Sequence, residues 1–305
     1  MGTPLNWIAF NLFIVMAIVL DLRVFHRRPH KIGIREAALA SFGWIAVSVL
    51  FGLGVFYFRG PQLALEFFTG YLIEKALSVD NLFLFLVIFR AFAVDERLQH
   101  RLLEWGVVGA LVMRGVMIAL GAELIEHFSW IMYALGAFLV YAGGRMLLAH
   151  RVEAHPEQNR LFRFASRHLR VSHDYHGEHF FVRTAGGLFA TPLFLVLLVV
   201  EITDVTLAVD SIPAVFGITE DPFIVYTSNV LAILGLRALY FLLAGVIDRL
   251  RFLDEGLAVV LLFIGGKMIG ERWLHIPVVV SLVVVGGVLL VALLASLLFP
   301  TRNKA

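Results

Sequence analysis

Glu74-Lys-Ala-Leu-Ser-Val-Asp80-Asn81 and Asp204-Val-Thr-Leu-Ala-Val-Asp210-Ser211 are two copies of one phrase, each with carboxylates six residues apart inside a long apolar stretch. Ionisable groups at membrane depth are costly, and by default they mark function. The rest of the chain reads as scaffold for these two phrases.

Around the phrases the composition settles the class. Of 305 residues, 60% are hydrophobic and only 16% charged, with a mean hydropathy of +0.88. Such a chain is a polytopic membrane protein rather than a soluble domain. The pI of about 9.0 accompanies a formal charge of only +2, so it reflects where the basic residues sit and implies no nucleic-acid partner. The absence of cysteine excludes disulfides and thiolate metal sites.

Stretches near the roughly 20 residues needed to cross hydrocarbon occur at about 5–22, 38–58, 63–90, 104–123, 128–149, 188–217, 223–246, 256–272 and 277–299. The expected fold is all-α, with about nine transmembrane helices in a single domain over residues 1–305. The first stretch resembles a secretory signal only in its place. No basic residue precedes it, and Arg23, Arg27, Arg28, Lys31 and Arg35 follow it. Odd-numbered loops are basic: Arg97 with Arg101, the run Arg151 to Arg170 within a cytoplasmic loop at about 150–187, and Arg249 with Arg251. Even-numbered loops carry Glu126, Glu220 and Asp221. The positive-inside rule then puts the N-terminus outside and the C-terminus, with Arg302 and Lys304, in the cytoplasm.

The repetition extends beyond the phrase. Asp80 corresponds to Asp210, Arg114 to Arg237, and Gly143-Gly144-Arg145-Met146 to Gly265-Gly266-Lys267-Met268, at offsets of 130, 123 and 122 residues. The repeat units, at about 63–149 and 188–272, hold three helices each. An odd number sends the second unit into the membrane from the opposite side, which predicts an inverted repeat with its pseudo-two-fold axis in the membrane plane. Thr191-Pro192 and Ser211-Ile-Pro213 mark the sixth stretch as the place for a helix break, or for a simple kink.

On a helix, Glu74, Ser78 and Asn81 share one face, as do Glu201 and Asp204, while Asp80 and Asp210 are turned away from the first face. Carboxylates, the Asn81 amide and the Ser211 hydroxyl are hard oxygen donors suited to magnesium, calcium or manganese. If ionised, Glu74, Asp80, Glu201, Asp204 and Asp210 carry five negative charges against three positive ones from Lys75, Arg114 and Arg237, leaving two that match one divalent ion. Arg114 and Arg237 lie too deep to snorkel, so each is expected to pair with carboxylates across the repeat interface. The competing reading is that acids and arginines merely staple helices together. The double glycines suit close helix packing. His173, His176 and His179 have metal-compatible spacing but read as a solvated loop, and Asp21 reads as a cap or a partner of Arg23.

The runs Phe180-Phe-Val-Arg-Thr-Ala-Gly-Gly, Ala190-Thr-Pro-Leu, Val200-Glu-Ile-Thr-Asp204, Ala208-Val-Asp-Ser-Ile-Pro-Ala-Val-Phe216 and Ser228-Asn-Val-Leu-Ala-Ile-Leu-Gly-Leu-Arg-Ala-Leu-Tyr240 closely resemble the TerC family, and within it the Alx branch. The likeness extends over nearly the whole chain. It implies a manganese exporter of the bacterial inner membrane, related to LysE-type transporters, with Glu74, Asp80, Asn81, Glu201, Asp204 and Asp210 forming the ion site. The expectation is a secondary transporter, not an enzyme, that uses no cofactor and takes a divalent metal ion as substrate and the lipid bilayer as surroundings. No P-loop appears, so proton or sodium counter-flow is the expected drive. The alternatives are a calcium or other divalent cation/proton antiporter and a membrane scaffold supplying manganese to exported enzymes. An intramembrane aspartyl hydrolase is disfavoured by the clustered, arginine-balanced acids and by the lack of a Gly-x-Gly-Asp motif.

Overall fold

The computed structural model describes residues 3–25, 34–92, 94–128, 130–148, 171–172, 176–184, 187–243, 252–270, 273 and 276–298. Their elements in order are α1 (Pro4–Phe25), α2 (Ile34–Arg59), α3 (Pro61–Ala91), α4 (Glu96–His127), α5 (Ile131–Leu148), β1 (Phe181–Thr184), β2 (Gly187–Ala190), α6 (Pro192–Phe216), α7 (Pro222–Leu234), α8 (Leu236–Leu243), α9 (Leu253–Gly270) and α10 (Val278–Leu298). The protein is an all-α polytopic membrane protein. Among the described residues six segments are long and apolar enough to span a bilayer: Ile34–Arg59, Arg97–His127, Ile131–Leu148, Pro192–Phe216, Pro222–Leu242 and Val278–Leu298. At 31 residues α3 has the length to span, but it carries the charged phrase.

Local chemistry sets the helix ends. Asp95 caps α4 by accepting from Arg97 N at 3.0 Å, and Asp221 caps α7 by accepting from Phe223 N at 2.9 Å, with Pro222 at the first helical position. Between α2 and α3 the chain turns on Gly60 at φ 96°, a conformation that side chains resist. Aromatic packing then seats α1 on α7: Trp7 and Phe10 meet Phe223 and Tyr226, and Tyr226 Oη donates to Asn11 Oδ1 at 2.8 Å.

Close approaches reveal the relative directions of the helices. Along α3 and α7, Gly70 sits against Ser228 and Lys75 against Ala232, so the two run parallel. Gly106, Gly109, Arg114 and Gly121 of α4 meet Val200, Glu201, Asp204 and Phe216 of α6 in the same order, again parallel. The most extensive helix pair, α5 with α9, is antiparallel. A Cβ on Gly143 would lie 2.8 Å from Ala258 O, and one on Gly265 would lie 2.6 Å from Gly136 O, so backbone touches backbone. Gly144 and Gly266, the second glycine of each pair, have no atom within 4 Å of where a Cβ would lie.

Two expectations need correction. The sixth stretch does not begin as helix at 188: Gly187–Ala190 pairs antiparallel with Phe181–Thr184, and the helix starts at Pro192. Nor does that helix break. Pro192 occupies the first helical position, where no N–H bond is lost, and Pro213 falls in the last turn of a helix that continues to Phe216. The interruption is instead at Gly235, which separates α7 from α8 within the seventh stretch.

Candidate cation site

Arg114, from the middle of α4, reaches both sequence phrases at once. Its Nη1 donates to Glu74 Oε1 on α3 and, at 3.2 Å, to Ser211 Oγ on α6. Its Nε and Nη2 donate to Asp204 Oδ2 and Oδ1, each at 3.3 Å. The second oxygen of Glu74 accepts from Asn229 Nδ2 of α7 at 2.9 Å. All are buried: Arg114 is 1% exposed, Glu74 0%, Asp204 3% and Asn229 0%. Charges this deep persist only when paired and hydrogen-bonded, and the planar guanidinium fork does both for two carboxylates. Glu74 and Asp204 occupy the same position in the two phrases. A single arginine therefore bridges repeat-equivalent acids.

Other site residues divide around this centre. Asn81 is buried on α3, two turns beyond Glu74. Glu201, one turn before Asp204 on α6, lies where a Cβ on Gly109 would fall within 2.3 Å of its carboxylate, so the glycine makes its room. Asp80 and Asp210 belong to the helical spans of α3 and α6, but their side chains lie outside the described residues. Lys75, expected among the charge-balancing residues, donates its Nζ to the carbonyl of Ala232 at 3.0 Å, at the end of α7, where helix carbonyls lack partners. A Cβ on Gly235 would lie 2.9 Å from that ammonium.

Arg237, the repeat counterpart of Arg114, pairs elsewhere. Its Nη1 donates to Glu104 Oε1 of α4 at 3.1 Å, and His100 Nδ1 lies 2.8 Å from the same oxygen. Tyr240 Oη donates to Gln99 Oε1 at 2.8 Å beside them. Toward the start of α3, Thr219 Oγ1 donates to buried Glu66 at 2.5 Å, and Arg59 meets Asp221 at 3.5 Å. Neither Glu104 nor Glu66 stood out in the sequence, because each is near a helix end where an acid is ordinary.

Among the described residues no three acidic or imidazole side chains converge as a metal cluster. His176 and His179 are exposed, while His173, the basic run 151–170, Arg249 and Arg251, and the side chains of Asp21 and Arg23 lie outside the described residues. What the centre offers a cation is therefore carboxylate, amide and hydroxyl oxygen around Glu74, with Arg114 in attendance.

Residues 59–304 match the profile of the integral membrane protein TerC family. The chain is 48% identical to the putative membrane-bound redox modulator Alx of Escherichia coli (strain K12), with 97% of this chain and 95% of that protein covered. It is 43% identical to the uncharacterized membrane protein STKORF319 of Myxococcus xanthus, with coverage of 97% and 93%. It is 37% identical to an uncharacterized membrane protein of Rickettsia bellii (strain RML369-C), with coverage of 96% and 97%. No solved structure matches the chain.

Proposed function

This chain belongs to the TerC family of integral membrane proteins, and from that premise we propose that it is a secondary transporter exporting Mn(II) from the cytoplasm across a bacterial inner membrane. The observation that carries the reading is the meeting of Glu74 and Asp204 on Arg114. A staple between helices needs one acid per arginine. Here two acids share one, so the ionised cluster holds one negative charge in excess, with Glu201 close by, and that excess attracts a cation at membrane depth. The donors are hard oxygens, which suit Mn(II) as they suit other hard divalent ions. The chain contains no cysteine, so it has no thiol couple of its own.

The packing directions support two inverted units that alternate access around this centre. The contact of Gly143 with Ala258 becomes that of Gly265 with Gly136 when the units are exchanged at the offset of 122 residues. The parallel pairs α3 with α7 and α4 with α6 exchange likewise. Antiparallel contact between the equivalent helices α5 and α9 requires an axis perpendicular to both, as an inverted repeat has.

The test is cellular manganese in an efflux-deficient host loaded with Mn(II), with the intact protein compared to Asp80→Asn and Asp210→Asn at matched membrane expression. The intact protein lowers manganese and neither variant does. Wild-type efflux in either variant removes that residue from the path, and unchanged manganese with altered calcium makes calcium the substrate.

A further inference from the structure

Two oxygens on Glu74's side of the centre have no hydrogen-bond partner: Asn229 Oδ1 and Ser78 Oγ. Their residues are 0% and 1% exposed. Buried polar atoms without partners are rare, and each calls for an explanation such as a bound ion. With Glu74 ionised, the amide of Asn229 cannot be turned to hide its carbonyl. A carboxylate only accepts, so the Nδ2 end must face Glu74 Oε2, and Oδ1 is left facing another way. Ser78 lies one turn after Glu74 on the same face of α3.

The repeat sharpens the argument. At the offset of 130 residues Ser78 corresponds to Ala208, and at 123 Asn229 corresponds to Gly106. Both neutral oxygens therefore sit with Glu74, and neither has a counterpart beside Asp204. Asp204 receives instead the two-pronged Nε and Nη2 contact of Arg114. The equivalent acids hold different posts: one anchors the arginine, and the other is furnished with oxygen.

We infer that Asn229 and Ser78 are ligands of the transported cation, which binds between α3 and α7 to one carboxylate and two neutral oxygens. The inference rests on the transport reading above. Loading the cation takes from Arg114 only its Nη1 bond to Glu74 and leaves its fork on Asp204. Ligand charge sets how tightly hard cations are held, and a single carboxylate with neutral oxygens holds an ion loosely enough to release it.

The experiment titrates Mn(II) into the purified full-length protein in detergent and follows free Mn(II) by electron paramagnetic resonance. Ser78→Ala and Asn229→Leu each weaken binding at least tenfold. Asn229→Asp keeps an oxygen at the ligand position but loses the donor to Glu74, and it binds Mn(II) at least as tightly as the unaltered protein. Ser41→Ala, which removes a buried unpartnered hydroxyl of α2, a helix that contributes no residue to the centre, leaves binding unchanged. Monodisperse elution qualifies each variant, and if Asn229→Leu fails to fold, Ser78→Ala and Asn229→Asp decide. Affinities within twofold of the unaltered protein for Ser78→Ala and Asn229→Leu overturn the assignment and leave the two oxygens to be satisfied by bridging water. Weakening of Asn229→Asp to the level of Asn229→Leu also overturns it, because Asn229 then acts only by positioning Glu74. Mn(II) binding shared by all these variants leaves the transport reading intact, whereas no binding by the unaltered protein sinks both.

Discussion

Arg114 holds two buried acids, so its removal leaves both charges facing each other without a counter-ion. Arg114→Ala is expected to destabilise the protein by about 3–5 kcal/mol, seen as a lowered unfolding temperature in detergent. Neutralising the acids in the same background, as Glu74→Gln with Asp204→Asn, recovers much of that loss and no transport. Unrecovered stability shows that packing by the arginine stem dominates. Arg114 and both acids stood out in the sequence because charge inside an apolar run is conspicuous. Pairing across the repeat interface was expected too, but which acid each arginine takes was not, since it depends on helix register: Arg114 took the two central acids and left Arg237 to Glu104. Asn229 was missed because a neutral amide hardly disturbs hydropathy. Its signal was a polar residue in an apolar helix, where the first unit has Gly106.

The seam between α5 and α9 shows how closely two elements approach when the intervening residues lack side chains. Gly265→Ala would put its Cβ against Gly136 O and Val140 N, backbone atoms that move only if the helices separate. The expected cost is about 1–3 kcal/mol, while Gly266→Ala, with open space at its Cβ, leaves the unfolding temperature unchanged. Equal effects would refute the seam. The double glycines announced tight packing in the sequence, but only the register tells which member of each pair is in contact. The helix break was misplaced for a similar reason. Proline is the louder signal, yet Pro192 and Pro213 sit where helices tolerate it, whereas Gly235 interrupts the chain beside the Lys75 ammonium. The short hairpin before α6 escaped notice because eight strand residues leave little periodicity to read.

At the scale of the molecule, each of the nine apolar stretches contains a helix among the described residues, the sixth entered through a strand and the seventh divided in two. Hydropathy is legible here because a bilayer demands one long apolar segment per crossing. The sidedness expected from the basic loops is directly measurable, since the chain has no cysteine of its own. Thr3→Cys is expected to react with an impermeant maleimide on intact cells, and Asn303→Cys only after permeabilisation. The opposite pattern inverts the topology and removes the ground for the proposed export direction. The two units are also not interchangeable. The second has a helix broken at Gly235, whereas Val112 occupies the corresponding place in the unbroken α4, and Arg114 and Arg237 hold different partners. Perfectly matched halves would make the inward-open and outward-open conformers degenerate, each the mirror of the other's energy. The broken helix lifts that degeneracy, so the transporter proposed above, when empty, rests preferentially on one side and waits there for its ion.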